Sequence, residues 1–214
     1  SINGVLFNKA QTRLIKCPSK NSIICKVPST VMKTIGWAFK DFEGSIIVDS
    51  DNKVFSSLDG VLYDKKMERV ILCPISKSGN FKLPSSVVEI EGGAFSGCEK
   101  LSSIDIPQSL ELIGPEAFRD CKIMTHIIIP DGITSIKFNT FYNCKNLLSV
   151  TIPDGVLNID DSAFLNCVNL KTISIPSSVK TIGERAFSNC GAYISVAEKN
   201  ENYSSKDGVL FNKS

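Results

Sequence analysis

The 214 residues contain one histidine, one tryptophan and almost no net charge, because Lys+Arg 24 against Asp+Glu 22 leaves only +2. Each shortage removes a class of function. With His126 as the lone imidazole and no C-x-x-C spacing anywhere, the chain has no ligand set for a zinc site. The lysines are scattered, mostly on turns, so no cation cluster is available to neutralise phosphates and nucleic acid is not an expected partner. No apolar run approaches the ~18 residues that cross a bilayer, so this segment is not expected to insert into a membrane. The opening Ser1-Ile2-Asn3-Gly4 lacks the layout of a signal peptide. No cofactor is expected.

What the sequence has in abundance is a period. Cys98, Cys121, Cys144, Cys167 and Cys190 stand 23 residues apart, and Pro84, Pro107, Pro130, Pro153 and Pro176 keep the same beat. So do Phe95, Phe118, Phe141, Phe164 and Phe187, and the isoleucines at 90, 113, 136, 159 and 182. Self-similarity at a period of about 20 to 50 residues is the mark of stacked repeats, in which no single repeat buries its own apolar face. The expected fold class is therefore an α/β repeat, a solenoid forming one elongated domain over residues 1–214.

Within each repeat, Leu101, Ile104 and Ile106 and their equivalents give an L-x-x-L-x-L pattern whose last positions alternate as in a short parallel strand. Proline follows at once, removing a ladder donor and turning the chain. Ile182, Ala186, Phe187 and Cys190, with their repeat mates, then fit one face of a short α- or 3₁₀-helical turn. The residue before each cysteine is Gly97, Asp120, Asn143, Asn166 or Asn189, types that tolerate the left-handed conformation that ends a helix.

A second unit recurs at longer range. Gly4-Val5-Leu6-Phe7-Asn8-Lys9, Gly60-Val61-Leu62-Tyr63-Asp64-Lys65 and Gly208-Val209-Leu210-Phe211-Asn212-Lys213 are copies of one segment, read as part of a β-hairpin inserted into the stack. Val48 to Ser57 likewise matches Val196 to Ser205. The expected organisation is a partial hairpin module at 1–27, a repeat at 28–45, a hairpin module at 46–83, tandem repeats at 84–190 and a truncated hairpin module at 191–214. Neither end carries a polar cap, so end-to-end self-association is an expectation.

The string Ile175-Pro176-Ser177-Ser178-Val179-Lys180-Thr181-Ile182-Gly183-Glu184-Arg185-Ala186-Phe187-Ser188-Asn189-Cys190 resembles the consensus of the BspA-like leucine-rich repeats, the Treponema pallidum type. The units from Pro84 onward are similar, and the Asp-Gly-Val-Leu segments resemble the spacers that interrupt such arrays. The resemblance implies a curved, right-handed leucine-rich-repeat solenoid in a secreted or cell-surface protein. It also implies a macromolecular partner, a host matrix or plasma protein, as for the adhesins of that family. The segment from Pro28 to Phe39 departs from the pattern by one residue inserted before Ile35 and one deleted after Gly36.

Candidate chemistry is sparse. Eight cysteines invite a disulfide framework, yet Phe42 occupies the cysteine slot of the first repeat, so the slot accepts a large hydrophobe and packs. A reduced ladder is expected, with rungs about 5 Å apart leaving pairwise oxidation open. Asp49-Ser50-Asp51-Asn52 lacks the glycine and glutamate of a calcium loop and reads as a solvated turn. His126 has Ser103, Ser149 and Thr172 as repeat mates, with no nucleophile motif around them, so no catalytic residue is assigned. Trp37 reads either as a plug in the irregular repeat or as an exposed contact.

The expected binding face is the outward row of strand residues. It comprises Asn80, Ser103, His126, Ser149, Thr172 and Ser195 in one file, and Lys82, Asp105, Ile128, Thr151, Ser174 and Ala197 in the next. The sequence thus predicts a non-enzymatic recognition or adhesion scaffold, with a structural spacer within a larger surface protein as the alternative and an enzyme as a remote third reading.

Overall fold

The computed structural model describes residues 4–19, 24–34 and 38–213. Trp37, and Ile35 and Gly36 of the irregular repeat, lie outside the described residues. The chain winds into a solenoid of about eight coils. Each full coil contributes a front strand, a proline turn, a two-residue back strand and a return segment. In front, Gly79–Lys82 pairs in parallel with Leu101–Asp105, and His126–Ile128, Ser149–Thr151, Thr172–Ile175 and Tyr193–Val196 form a second parallel sheet. Behind, Ser135–Ile136, Asn158–Ile159 and Thr181–Ile182 stack in register, as Glu89–Ile90 does with Leu112–Ile113. Coil geometry follows from the alternation read in the sequence: Ile127, Val150 and Ile173 are buried while their neighbours along each strand face solvent.

The expected helical turns are absent, and no helix forms among the described residues. Two left-handed residues four apart forbid one. Asp120, Asn143, Asn166 and Asn189 have φ near +60°, as their types foretold, but so do Glu116, Asn139, Ser162 and Arg185. Right-handed helix cannot propagate through such positions. Instead, alternate amides point to two different partners. Glu116, Phe118 and Asp120 donate to Phe138, Thr140 and Tyr142 of the next coil, while Ala117, Arg119 and Cys121 close turns onto Gly114, Glu116 and Phe118. Every second peptide is thus part of a coil-to-coil ladder, which a helix would have spent internally.

That ladder brings equivalent side chains into columns. The rings of Phe95, Phe118, Phe141, Phe164 and Phe187 stack at centroid spacings of 5.2–5.6 Å and interplanar angles of 4–18°. Phe118, Phe141 and Phe164 are therefore each covered above and below by their own kind, as the spacing of aromatic pairs favours. Outside the core, Asn189 donates to Asn166, and Asn143 to Asp120, so the left-handed positions also form a side-chain ladder.

Phe55–Leu58 and Val61–Asp64 form an antiparallel hairpin that joins the back sheet through Arg69–Leu72. Its second strand is a partition wall. Leu62 faces the core of the first coils, whereas Val61 and Tyr63 face the long core that runs on to Ala186, and all three are fully buried. Ahead of the hairpin, Asn52 is sealed and uses its whole carboxamide: Nδ2 donates to the carbonyls of Pro28 and Val31, and Oδ1 accepts from the amides of Val54 and Phe55. Asn200 repeats this bracket on Pro176, Val179, Asn202 and Tyr203.

The Tyr63 hydroxyl is buried without a hydrogen-bond partner. Burial above all, with Cys73 and Asp59 adding to it, pushes its pKa well up. The equivalent residues Phe7 and Phe211 lack the hydroxyl, so the site has no need of it. A buried unpaired polar group costs about 1–3 kcal/mol. Tyr63→Phe should therefore raise stability by about 1 kcal/mol in a urea melt, and a lower midpoint for the variant would refute the reading.

Candidate functional site

The outward face is built from alternate positions of the front strands. Parallel pairing sets Asn80 beside Ser103, Lys82 beside Asp105, His126 beside Ser149 and Ile128 beside Thr151, with Ser149 beside Thr172. Asn80, Lys82, Asp105, His126, Ile128, Ser149, Thr151, Thr172 and Ser174 are all exposed. Ser103 is not: it is buried, because a register shift between Leu101 and Ser103 turns its hydroxyl onto Oδ1 of Asn80 at 2.7 Å.

The last rung also differs from the sequence reading. Thr172 lies beside Tyr193 and Ser174 beside Ser195, so Ser195 moves to the second file and Ala197 leaves the face. The cause is the connector. Thr172 follows Cys167 by five residues, but Tyr193 follows Cys190 by only three. A tyrosine, 56% exposed, thereby joins a face that the sequence presents as free of aromatic anchors. Ile128, 65% exposed, stands three rungs away along the other file. Sequence reasoning missed Tyr193 although the short connector was there to be counted.

Among the described residues, no catalytic constellation assembles around His126. Its Nδ1 lies 3.1 Å from the hydroxyl of Thr125, which belongs to the same strand segment, and no group of three or more His, Cys, Asp or Glu able to hold a metal occurs among the described residues. Asp49 to Asn52 form a turn, with Asp51 N–H bonded to Oδ1 of Asp49 and the Asn52 side chain pointing into the coil.

The cysteine column is a second place to look for chemistry, and burial closes it. Cys73, Cys98, Cys121, Cys144 and Cys167 are free and buried, and Cys190 is free and half-buried. The thiols of Cys121, Cys144 and Cys167 donate to the carbonyls of Phe95, Phe118 and Phe141 in the preceding coil at 3.1–3.3 Å. Each of those carbonyls already accepts from the cysteine amide of its own coil. Cysteine is thus more than a small wedge, since its thiol fills a second lone pair that alanine would leave bare. Loss of solvent pushes the thiols of Cys73, Cys121, Cys144, Cys167 and Cys190 upward, which disfavours the thiolate that a nucleophile or metal ligand requires. Cys17 and Cys25 are the exception to the reduced ladder. They form a disulfide, with Cα atoms 6.4 Å apart, where the second module has Cys73 and Phe81.

A groove of about 510 Å³ interrupts the front of the solenoid at the hairpin module. The turn at Asp59-Gly60 enters it, and Gly60 has φ +78° and packs so close to Ser45 that a side chain there would collide with it. The Gly60 carbonyl accepts from the amide of Ile46, and the hydroxyl of Ser57 accepts from that of Val48. On the other side stands Gly79–Lys82, with the Lys77 ammonium held by the Asp59 carbonyl at 2.8 Å and by the Phe81 ring at 4.6 Å.

A family model described as the BspA type leucine rich repeat region matches residues 73–193, in six copies. Among solved structures, the chain is similar to a leucine rich cell surface protein from Faecalibacterium prausnitzii A2-165, at 33% identity and a TM-score of 0.75, over 83% of this chain and 49% of that one. It is also similar to the pneumococcal vaccine antigen PcpA, at 22% identity and a TM-score of 0.74, over 89% of this chain and 49% of that one. A T. pallidum leucine rich repeat protein matches at 22% identity and a TM-score of 0.53, over 92% of this chain and 80% of that one. The two at 22% show the fold alone. Against the first of these structures the chain spans about half the length. No curated protein matches the sequence.

Proposed function

Because the chain belongs to the family of BspA-type leucine-rich repeats, we propose that it works as a non-enzymatic recognition scaffold, displayed on a cell surface or secreted, that holds a protein partner on its front face. The observation that carries this reading is the run of nine exposed row residues on two successive parallel sheets, ended by exposed Tyr193. An inert face would not need large apolar residues such as Ile128 and Tyr193 turned outward, and aromatic side chains are the usual anchors of protein interfaces. The described residues include no helix long and apolar enough to cross a membrane. Surface location is drawn from the cell-surface protein it resembles.

The partner class, a host matrix or plasma protein, is tested by binding to immobilised fibronectin and fibrinogen. Ile128→Arg with Ser174→Arg should weaken binding roughly tenfold or more, whereas Thr181→Arg on the back strand should leave it unchanged. Equal binding by front and back variants would reject the front face.

A further inference from the structure

We infer that the groove at the hairpin module is a slot for an extended acidic peptide, which adds as a strand to the open edge of Gly79–Lys82. This deepens the recognition reading by assigning it one site and one ligand class. The edge is identified by hydrogen-bond direction. Gly79 donates to the Lys100 carbonyl and Leu83 to that of Asp105, so the odd-numbered residues of this strand face the next coil. Successive residues of a strand present their N–H and C=O to opposite edges. Asn80 and Lys82 therefore aim theirs at the groove, and among the described residues this strand has no second ladder partner.

The opposite wall is already closed, since the hairpin turn takes the amides of Ile46 and Val48. Ile24–Val27 pairs with Ser45–Val48, Gly79–Lys82 with Leu101–Asp105, and the last four front strands with one another; between Ser45–Val48 and Gly79–Lys82 the hairpin turn intervenes and leaves one edge unserved. An exposed strand edge is a template for another strand, and strand addition is a recurrent mode of peptide recognition.

Charge selects the peptide. The groove is lined by Lys77, Lys82, Asn80 and the hydroxyl residues Ser45, Ser76 and Ser78, with Asp59 as the only carboxylate among the described lining residues. Asn80 uses Oδ1 to accept from Ser102 and Ser103, leaving its Nδ2 donors outward. On the paired edge, Lys82 already has Asp105 as its cross-strand neighbour. A peptide with a carboxylate at alternate positions would place the same charge on the open side.

The probes are fluorescein-labelled (Glu-Val)₄, (Lys-Val)₄ and (Glu-Pro)₄, the last carrying the same charge without ladder amides. At low salt, (Glu-Val)₄ should bind roughly tenfold more tightly than either control, and Lys82→Glu should remove that advantage while Lys171→Glu keeps it. Hydrogen exchange read by NMR should find the Asn80 and Lys82 amides fast in the free protein and slowed roughly tenfold by (Glu-Val)₄. Equal binding of (Glu-Pro)₄ would mean attraction to anions alone and overturn strand addition. So would binding without protection of those two amides, amides already slow in the free protein, or no binding at about 1 mM. The Ile128 and Ser174 variants leave this slot intact, so the front face and the slot can fail separately.

Discussion

Raising the pH from about 7.5 to about 10 under reducing conditions should strip the protein of most of its folding stability, because its buried thiols cannot ionise while folded. Burial holds Cys73, Cys121, Cys144 and Cys167 above the ordinary thiol range. An acid whose folded pKa is raised contributes its full stability below the unfolded value of about 8.5. That contribution is lost as pH rises from there toward the folded value. In the unfolded chain each thiol releases a proton that the folded chain retains, at about 1.4 kcal/mol per pH unit for each group. Four such groups approach roughly 5 kcal/mol per pH unit, against a total stability of about 5–15 kcal/mol for an ordinary domain. Guanidinium melts at a series of pH values would show the midpoint falling steeply above about pH 8.5. Cys144→Ala with Cys167→Ala should halve the slope. A midpoint constant up to about pH 10 would mean that the column is oxidised or open to solvent, and Ellman titration of the denatured, unreduced chain, expected to count the six free thiols, would separate these two.

The second large effect lies in the phenylalanine column. Phe141 is fully buried and stacked on Phe118 at 5.6 Å and on Phe164 at 5.2 Å. Phe141→Ala removes both stacking contacts and leaves a cavity between two coils, at a cost of about 3–5 kcal/mol. In a repeat array each coil is stabilised chiefly by its neighbours, so damage at one interface also weakens communication between the two sides. A single urea transition in the parent should become two in the variant, with the coils before and after residue 141 melting at different concentrations. Phe141→Leu, which keeps most of the volume, should lose less than half as much and retain one transition. A loss of under about 1 kcal/mol for the alanine variant would show that the stack is geometric and contributes little.

The solenoid was legible in the sequence because packing slots recur at fixed spacing, and a slot is a demand on shape that one residue type satisfies in coil after coil. Phe42 in the cysteine slot could be read the same way, and it is fully buried there, following a left-handed Asp41 as Cys121 follows Asp120. The return segment was misread because Ile, Ala, Phe and Cys at offsets 0, 4, 5 and 8 mimic a helical face. The residues that forbid a helix, Glu116, Ser162 and Arg185, are not types that announce positive φ. At Glu116 and Ser162 the amide bonds to the next coil, a tertiary demand that local propensity does not register. The front face was legible where connectors have constant length. It failed at Ser103, where the register shifts, and at Tyr193, where the connector shortens.

That shortened connector shows how such a scaffold can be retargeted. A strand slipped by two residues keeps its inward side chains inward, because side chains alternate with a period of two. Ile173 still pairs with Ile194, and Ile175 with Val196, across the slip. The outward positions, meanwhile, change identity wholesale, and a hydroxyl is replaced by a tyrosine. Insertions or deletions of even length in the loops would thus rewrite the exterior in one step while leaving the interior register untouched. Odd-length changes would turn the strand inside out and be lost. Variation in loop length, and not only point substitution, is then a route by which a rigid stack acquires new surfaces.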